Sequence, residues 1–212
     1  MNQKQIFIDG EGDKWFERNL GNQYSKQEDE IVNKINELKI QYSSVLEIGC
    51  SHGLRLNYLN KNGVKLYGID PSKKAIDYGK KSFKNLNLKQ GTADQLDFQD
   101  NLFDLLIFGF CLYLVDPNDL FKIAYEADRV LKSNGHLIIL DFEPSKEYFK
   151  DYHHKKGVLT HKMDYSKMFT WNKNYILRCK QIFNHDNSIN DIQDEDSRVS
   201  INILLKNDII RK

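Results

Sequence analysis

The nine residues LFDLLIFGF, positions 102–110, limit the possible folds most sharply. Apart from Asp104 the run is apolar without alternation, so as a strand it has two faces to bury. Such strands are stable at the centre of a parallel sheet that helices cover on both sides. The flanking chain fits that demand. Strand patterns at 44–48, 65–69, 88–91 and 136–142 alternate with helical patterns at 54–61, 72–83 and 117–131. This alternation implies right-handed crossovers and an α/β fold. Farther on, Tyr175 to Phe183 and Arg198 to Lys206 are strand patterns joined by a polar, Asn/Asp-rich link with no room for a helix. They are expected to form an antiparallel hairpin at one sheet edge. Ahead of the sheet, Ser25-Lys-Gln-Glu28 reads as a capping box. Ile31, Val32, Ile35 and Leu38 follow it at helical spacing and predict one buried stripe.

A chain of 212 residues fits one domain with a sizeable core. The predicted parts are an N-terminal flap and helix (1–42), a core (43–142), an insertion (143–170) and the C-terminal hairpin (171–212). With 31 basic against 30 acidic residues, the net field gives no reason to expect nucleic acid or a membrane surface as partner. The longest uncharged apolar stretch, Leu105 to Val115, is too short to span a bilayer. No export signal is read at the N-terminus, and Cys50, Cys111 and Cys179 form no C-x-x-C pair. A reduced, cytoplasmic protein without a metal site is expected, as a monomer or homodimer.

The turn after the first predicted strand, GCSHG at 49–53, can be parsed two ways. As G-x-S-x-G it is a nucleophile elbow with Ser51 as the nucleophile. As E-x-G-x-x-x-G, starting at Glu47, it is a cofactor-binding turn. An elbow ordinarily follows several strands and an oxyanion-hole loop, whereas this turn follows the first strand. Asp70, 21 residues after Gly49, closes the second strand in YGIDPS, where a carboxylate can hold the two ribose hydroxyls of a nucleoside. The cofactor reading is therefore favoured.

Five segments in order, VLEIGCSHG, YGIDPS, GTADQLDF, FDLLIFGF and VLKSNGHLIILDF, resemble the motifs of class I S-adenosylmethionine-dependent methyltransferases. The resemblance spans about residues 44 to 142. It implies a three-layer, Rossmann-like, seven-stranded and mostly parallel sheet, with S-adenosyl-L-methionine as cofactor and S-adenosyl-L-homocysteine as product. It also implies site residues. Glu47 would accept a hydrogen bond from water or the cofactor's amino group. Backbone from Gly49 through Cys50 and Ser51 to Gly53 would pass the methionine and ribose. Asp70, followed by Pro71, would hold the ribose diol, and Thr92, Ala93 and Asp94 would meet the adenine. Phe108 and Phe110 would line the wall near the sulfonium. Ser51 stands where the family's middle glycine does, which is tolerable if its φ stays negative. Thr92 stands where many relatives carry an acid.

Two segments outside these motifs suggest an acceptor side. Residues 148–165, YFKDYHHKKGVLTHKMDY, follow the last core strand and hold three histidines within nine residues. Lacking regular ligand spacing, they do not suggest zinc. As imidazoles they are candidate general bases, in the order His154, His153, with His161 or Tyr113 orienting the acceptor. Tyr152 is a candidate substrate contact. In the N-terminal EGDKWFERN, Trp15 and Arg18 belong either to a helix laid on the sheet or to a flap over the ligands. The 148–165 segment also bears some similarity to methyltransferases of bacterial surface-sugar gene clusters. The expected reaction is methyl transfer to oxygen or nitrogen of a small polar metabolite, such as a sugar. The rival readings are a non-catalytic cofactor-binding protein and a protein or nucleic-acid methyltransferase. Against the latter, IFGFCLY stands after Asp104 where an Asn/Asp-Pro-Pro-Tyr/Phe motif would be.

Overall fold

The computed structural model describes residues 2–21, 25–185 and 194–207. Most of the Asn/Asp-rich link lies outside them. Among the described residues, seven strands form one sheet: β1 (Ser44–Ile48), β2 (Lys65–Asp70), β3 (Leu86–Gln90), β4 (Phe103–Gly109), β5 (Leu131–Phe142), β8 (Tyr175–Asn184) and β9 (Arg198–Lys206). Their order across the sheet is β3-β2-β1-β4-β5-β9-β8, parallel through β5 and antiparallel on both sides of β9. The expected hairpin is present, with β8 at the edge and β9 inside. A separate two-stranded ribbon, β6 (Tyr148–Asp151) with β7 (Leu159–Lys162), rises from the insertion.

The doubly apolar strands explain the layers. Successive side chains of a strand point to opposite faces. Val45, Leu105, Ile107 and Ile138 pack on one face with Ile31, Leu56 and Ile76. These last three belong to α3 (Glu30–Glu37), α4 (Leu54–Tyr58) and α5 (Lys73–Ser82). Leu46, Leu106, Phe108 and Leu137 pack on the other face with Ile123, Val130 and Phe169. Those come from α6 (Leu120–Val130) and α7 (Lys167–Thr170).

Several boundaries differ from expectation. The Ser25–Glu28 capping box is formed, but it closes a 3-10 turn at Lys26–Glu28; Asp29 caps α3 by accepting from the Val32 N–H at 2.9 Å. Leu38 is left exposed because α3 ends at Glu37. The helix expected from Pro117 begins as a 3-10 turn, and β5 starts as early as Leu131.

The N-terminal segment contains α1 (Gln3–Ile6), a wider turn at Phe7–Glu11 and α2 (Gly12–Asn19). Long-range bonds strap it across the carboxyl ends of the strands. The Gln3 amide donates to Leu114 O (2.6 Å) and Leu159 O (2.8 Å) and accepts from the Leu159 N–H (3.0 Å). Asp13 accepts from the Ser72 hydroxyl (2.7 Å) and the Lys74 N–H (2.9 Å). Among the described residues, no helix is long and apolar enough to cross a membrane.

Candidate active site

The first turn is fixed by its neighbour strand. The N–H groups of Gly49 and Cys50 donate to Ile69 O at 2.9 and 3.0 Å. Gly49 has φ +72°, and a Cβ there would lie 2.5 Å from Cys111 Cβ, so only glycine fits. Asp70 then joins the first two strand ends: Oδ2 accepts from the Ser51 N–H and Oδ1 from the Ser72 N–H, both at 2.8 Å. Burial raises its carboxyl to about 6, although those two bonds oppose the rise. Ser51 has φ +49°, contrary to the expected negative value. The bond from its N–H to Asp70 holds this left-handed conformation in place.

Ser51 does not form a nucleophile pair. Its hydroxyl lies 3.4 Å from His52 Nδ1, beyond a good hydrogen bond. His52 Nε2 is buried with no partner, so no acid orients the ring. The imidazole packs instead among Phe16, Tyr78 and Phe83.

Among the described residues, two cavities open at the carboxyl ends of the strands. The narrower, of about 140 Å³, is walled by Gly49, Asp70, Pro71, Thr92, Ala93 and Asp94, with Phe7 and Lys4 over it. The wider, of about 940 Å³, has Glu47, Cys50 and Ser51 on one side and Tyr113, Tyr152, His153 and His154 on the other. Trp15, Gly49, Gly109 and Phe110 line both, so the cavities meet there. Phe110 has φ +55°, an unusual conformation for a bulky residue, with its N–H bonded to Leu140 O at 2.8 Å.

Buried acceptors mark both cavities. Asp94 is almost wholly buried; Oδ2 takes the Lys4 ammonium at 2.5 Å, while Oδ1 has no partner. Burial opposes its charge, but the Lys4 ammonium still helps hold the carboxyl below its ordinary range. In the wider cavity, Glu47 Oε1 accepts from Arg55, which also donates to Asp29 at 2.8 Å. Glu47 Oε2 is buried without a partner. Burial raises this carboxyl to about 7, against the pull of Arg55.

Other expected residues stand elsewhere. Phe108 is fully buried in the core, facing α6 rather than either cavity. Gly53 packs against β3, where a Cβ would lie 2.8 Å from Leu86 and 3.2 Å from Leu88. His161 is absent from both cavity walls: Nε2 bonds Glu147 at 2.7 Å and the ring stacks on Phe149 at 4.1 Å. Strand alternation is the reason, since Thr160 and Lys162 face the wider cavity and His161 between them faces away. Arg18 pairs with buried Glu11 (2.6 Å) and donates to the Tyr152 hydroxyl (2.9 Å), tying α2 to the insertion outside the cavities. Trp15 lines both cavities, while Phe16 is largely buried and borders only the wider one. Lys4, Arg55, Phe142, Lys162 and His185 were not anticipated. Lys162 could have been found by period-two spacing from Thr160. Lys4 and His185 carry no local signal.

Residues 46–139 match the family model described as a methyltransferase domain. Over that segment, somewhat under half of the chain, the sequence is similar to that domain family. An uncharacterized methyltransferase of Synechocystis is 32% identical over 106 residues, covering 50% of each protein. The ubiquinone/menaquinone biosynthesis C-methyltransferase UbiE of Rickettsia felis is 38% identical over 106 residues, covering 50% of this chain and 40% of that one. The chain thus spans half or less of the length of these curated relatives. In fold, the Burkholderia thailandensis 1,6-didemethyltoxoflavin-N1-methyltransferase superposes with TM-score 0.72 at 13% identity, covering 97% of this chain and 87% of that one.

The methyl donor of such domains is S-adenosylmethionine, and the residues at these two cavities fit it. Asp94 Oδ1, a buried acceptor without a partner, suits the exocyclic amine of adenine, and Glu47 Oε2 suits an ammonium group. Asp70 stands in the narrower cavity, each carboxylate oxygen keeping a further lone pair for a diol.

Proposed function

We propose that the protein transfers a methyl group from S-adenosylmethionine to a small acceptor molecule. The observation that carries this reading is the meeting of the two cavities at Trp15, Gly49, Gly109 and Phe110. The narrower takes the adenosyl part, with Asp70 on the ribose and Asp94 on adenine. The wider takes the amino-acid part beside Glu47, and the acceptor beside the insertion. The Burkholderia neighbour, whose structure holds both 1,6-didemethyltoxoflavin and S-adenosylhomocysteine, supports a two-ligand arrangement.

When bound, the donor supplies a methyl group whose S–C electron pair returns to sulfur as an acceptor lone pair forms the new bond. Alignment is this chain's main contribution, and fixing two reactants can supply on the order of 7–11 kcal/mol. Phe110 and Trp15 exclude water where the cavities meet. A neutral hydroxyl or amine acceptor releases a proton, and His154 would take it; its position on the wall of the wider cavity, with His153 beside it at a ring separation of 3.7 Å, supports that role. Loss of water contact first, and the charges of Arg18 and His153 after it, lower the His154 pKa.

The test is release of S-adenosylhomocysteine by the full chain when a pool of small metabolites is added with labelled methyl donor. Acceptor-dependent release is expected, falling about 10²-fold or more in His154→Ala if a neutral hydroxyl is methylated. Donor binding without turnover on any pool would favour the non-catalytic reading.

A further inference from the structure

The wall of the wider cavity beside the junction is aromatic. Phe142 lies 5.4 Å from Phe110 and 5.0 Å from Tyr113, ring centre to ring centre. His185 is stacked on Phe142 at 5.4 Å, the planes 10° apart, and meets Phe110 edge-on at 5.0 Å. All four line this cavity, and none of the four is buried. Phe110 also borders the narrower cavity, so the wall begins where the methyl group is delivered.

The same wall carries a cationic pole. Lys162, only 8% exposed, holds its ammonium 4.1 Å from the Phe142 ring centre and donates to Asp196 O at 2.6 Å. Lys150 pairs with the Asp196 carboxylate at 2.6 Å, and Lys162 stands 3.5 Å from it. Two ammonium groups therefore share one carboxylate at this rim. The other end of the cavity is different, because there two carboxylates, Glu47 and Asp29, share the one guanidinium of Arg55.

We propose that the acceptor is a flat, conjugated molecule bearing an anionic oxygen, its ring laid on the Phe142 wall and its charge directed to Lys162 and Lys150. This rests on the methyl-transfer reading above and names its substrate class. A conjugated ring lies flush on such a wall and adds π–π contact to the area it buries, which a saturated ring, offering only C–H groups, does not. A desolvated ammonium recognises an oxyanion by a charge-assisted bond. Phe142 and Lys162 are then specificity-determining residues outside the donor site.

The test is calorimetric binding to the full chain saturated with S-adenosylhomocysteine. The probes are para-hydroxybenzoate (flat and anionic), para-hydroxybenzamide (flat and neutral) and the cyclohexane analogue of the acid (anionic, not flat). The benzoate is expected to bind about tenfold tighter than either of the others. Phe142→Leu and Lys162→Met should each remove about tenfold of that affinity, with S-adenosylhomocysteine binding unchanged and the fold intact by circular dichroism. Equal affinities, absence of binding by all three at millimolar concentration, or variants without effect would overturn the proposal while leaving the donor site standing. A folded protein that binds no S-adenosylhomocysteine would overturn the parent reading and this one with it.

Discussion

Ser51 is the residue where local preference and tertiary structure conflict most visibly. Its φ of +49° belongs to a region that disfavours any side chain, at a cost of about 1–2 kcal/mol. The Asp70 carboxylate, bonded to its N–H, keeps it there. Ser51→Gly should therefore raise unfolding free energy by about 1 kcal/mol in urea titration, with donor binding retained. The acids make a second prediction. Glu47 and Asp70 have carboxyls raised to about 7 and about 6, chiefly by burial. A raised acid binds its proton more tightly folded than unfolded. Its stabilising contribution is whole below the ordinary carboxyl range and is lost as pH rises toward 6 or 7. On the proposed assignment the donor needs both acids charged, so its affinity should run the other way, strengthening between pH 5 and 8. Melting curves with and without S-adenosylhomocysteine should diverge as pH rises. A constant gap would contradict this assignment.

Among the elements, the strands were legible because buried parallel strands must be apolar on both faces, as 103–109 is. The helix caps were only partly legible: Ser25 forms its box, yet Asp29 starts the helix. The segment that forms the ribbon of β6 and β7 fits neither the strand nor the helix pattern in sequence, since Phe149, His161 and their neighbours mix polar and aromatic side chains. That concealed the alternation that turns His161 outward and Lys162 inward. His161→Ala should accordingly leave acceptor turnover within about twofold of wild type, costing mainly stability, about 1 kcal/mol, through the lost Glu147 bond and ring stacking. The N-terminal strap was illegible for another reason. Its order comes from side chain to backbone bonds across more than a hundred residues, such as Gln3 to Leu114 and Leu159, which no local pattern encodes. Gln3→Ala removes three bonds at once, leaving half-buried backbone groups to find water. Stopped-flow chase should show the donor product dissociating about tenfold faster from this variant, with the sheet intact by circular dichroism.

At the scale of the whole molecule, the fold places two strand ends, a strap and a ribbon around one junction. The sheet supplies rigidity: Phe108, expected beside the cofactor, instead fills the space between β4 and α6. Phe108→Ala should cost about 3–5 kcal/mol of stability by leaving a cavity. The aromatic and histidine content of the 143–170 segment pointed to the acceptor side, but its partners Phe142 and His185 come from β5 and from beyond β8. Their meeting is a property of topology, created when β9 returns antiparallel between β5 and β8.

The measurement that bears most directly on the account is calorimetric titration of the full chain with S-adenosylhomocysteine, alongside Asp70→Ala and Asp94→Ala. Saturable one-to-one binding, weakened about tenfold or more in each variant while both remain folded, is the predicted result. Absence of binding to folded wild-type protein, or equal affinity in all three, would contradict it.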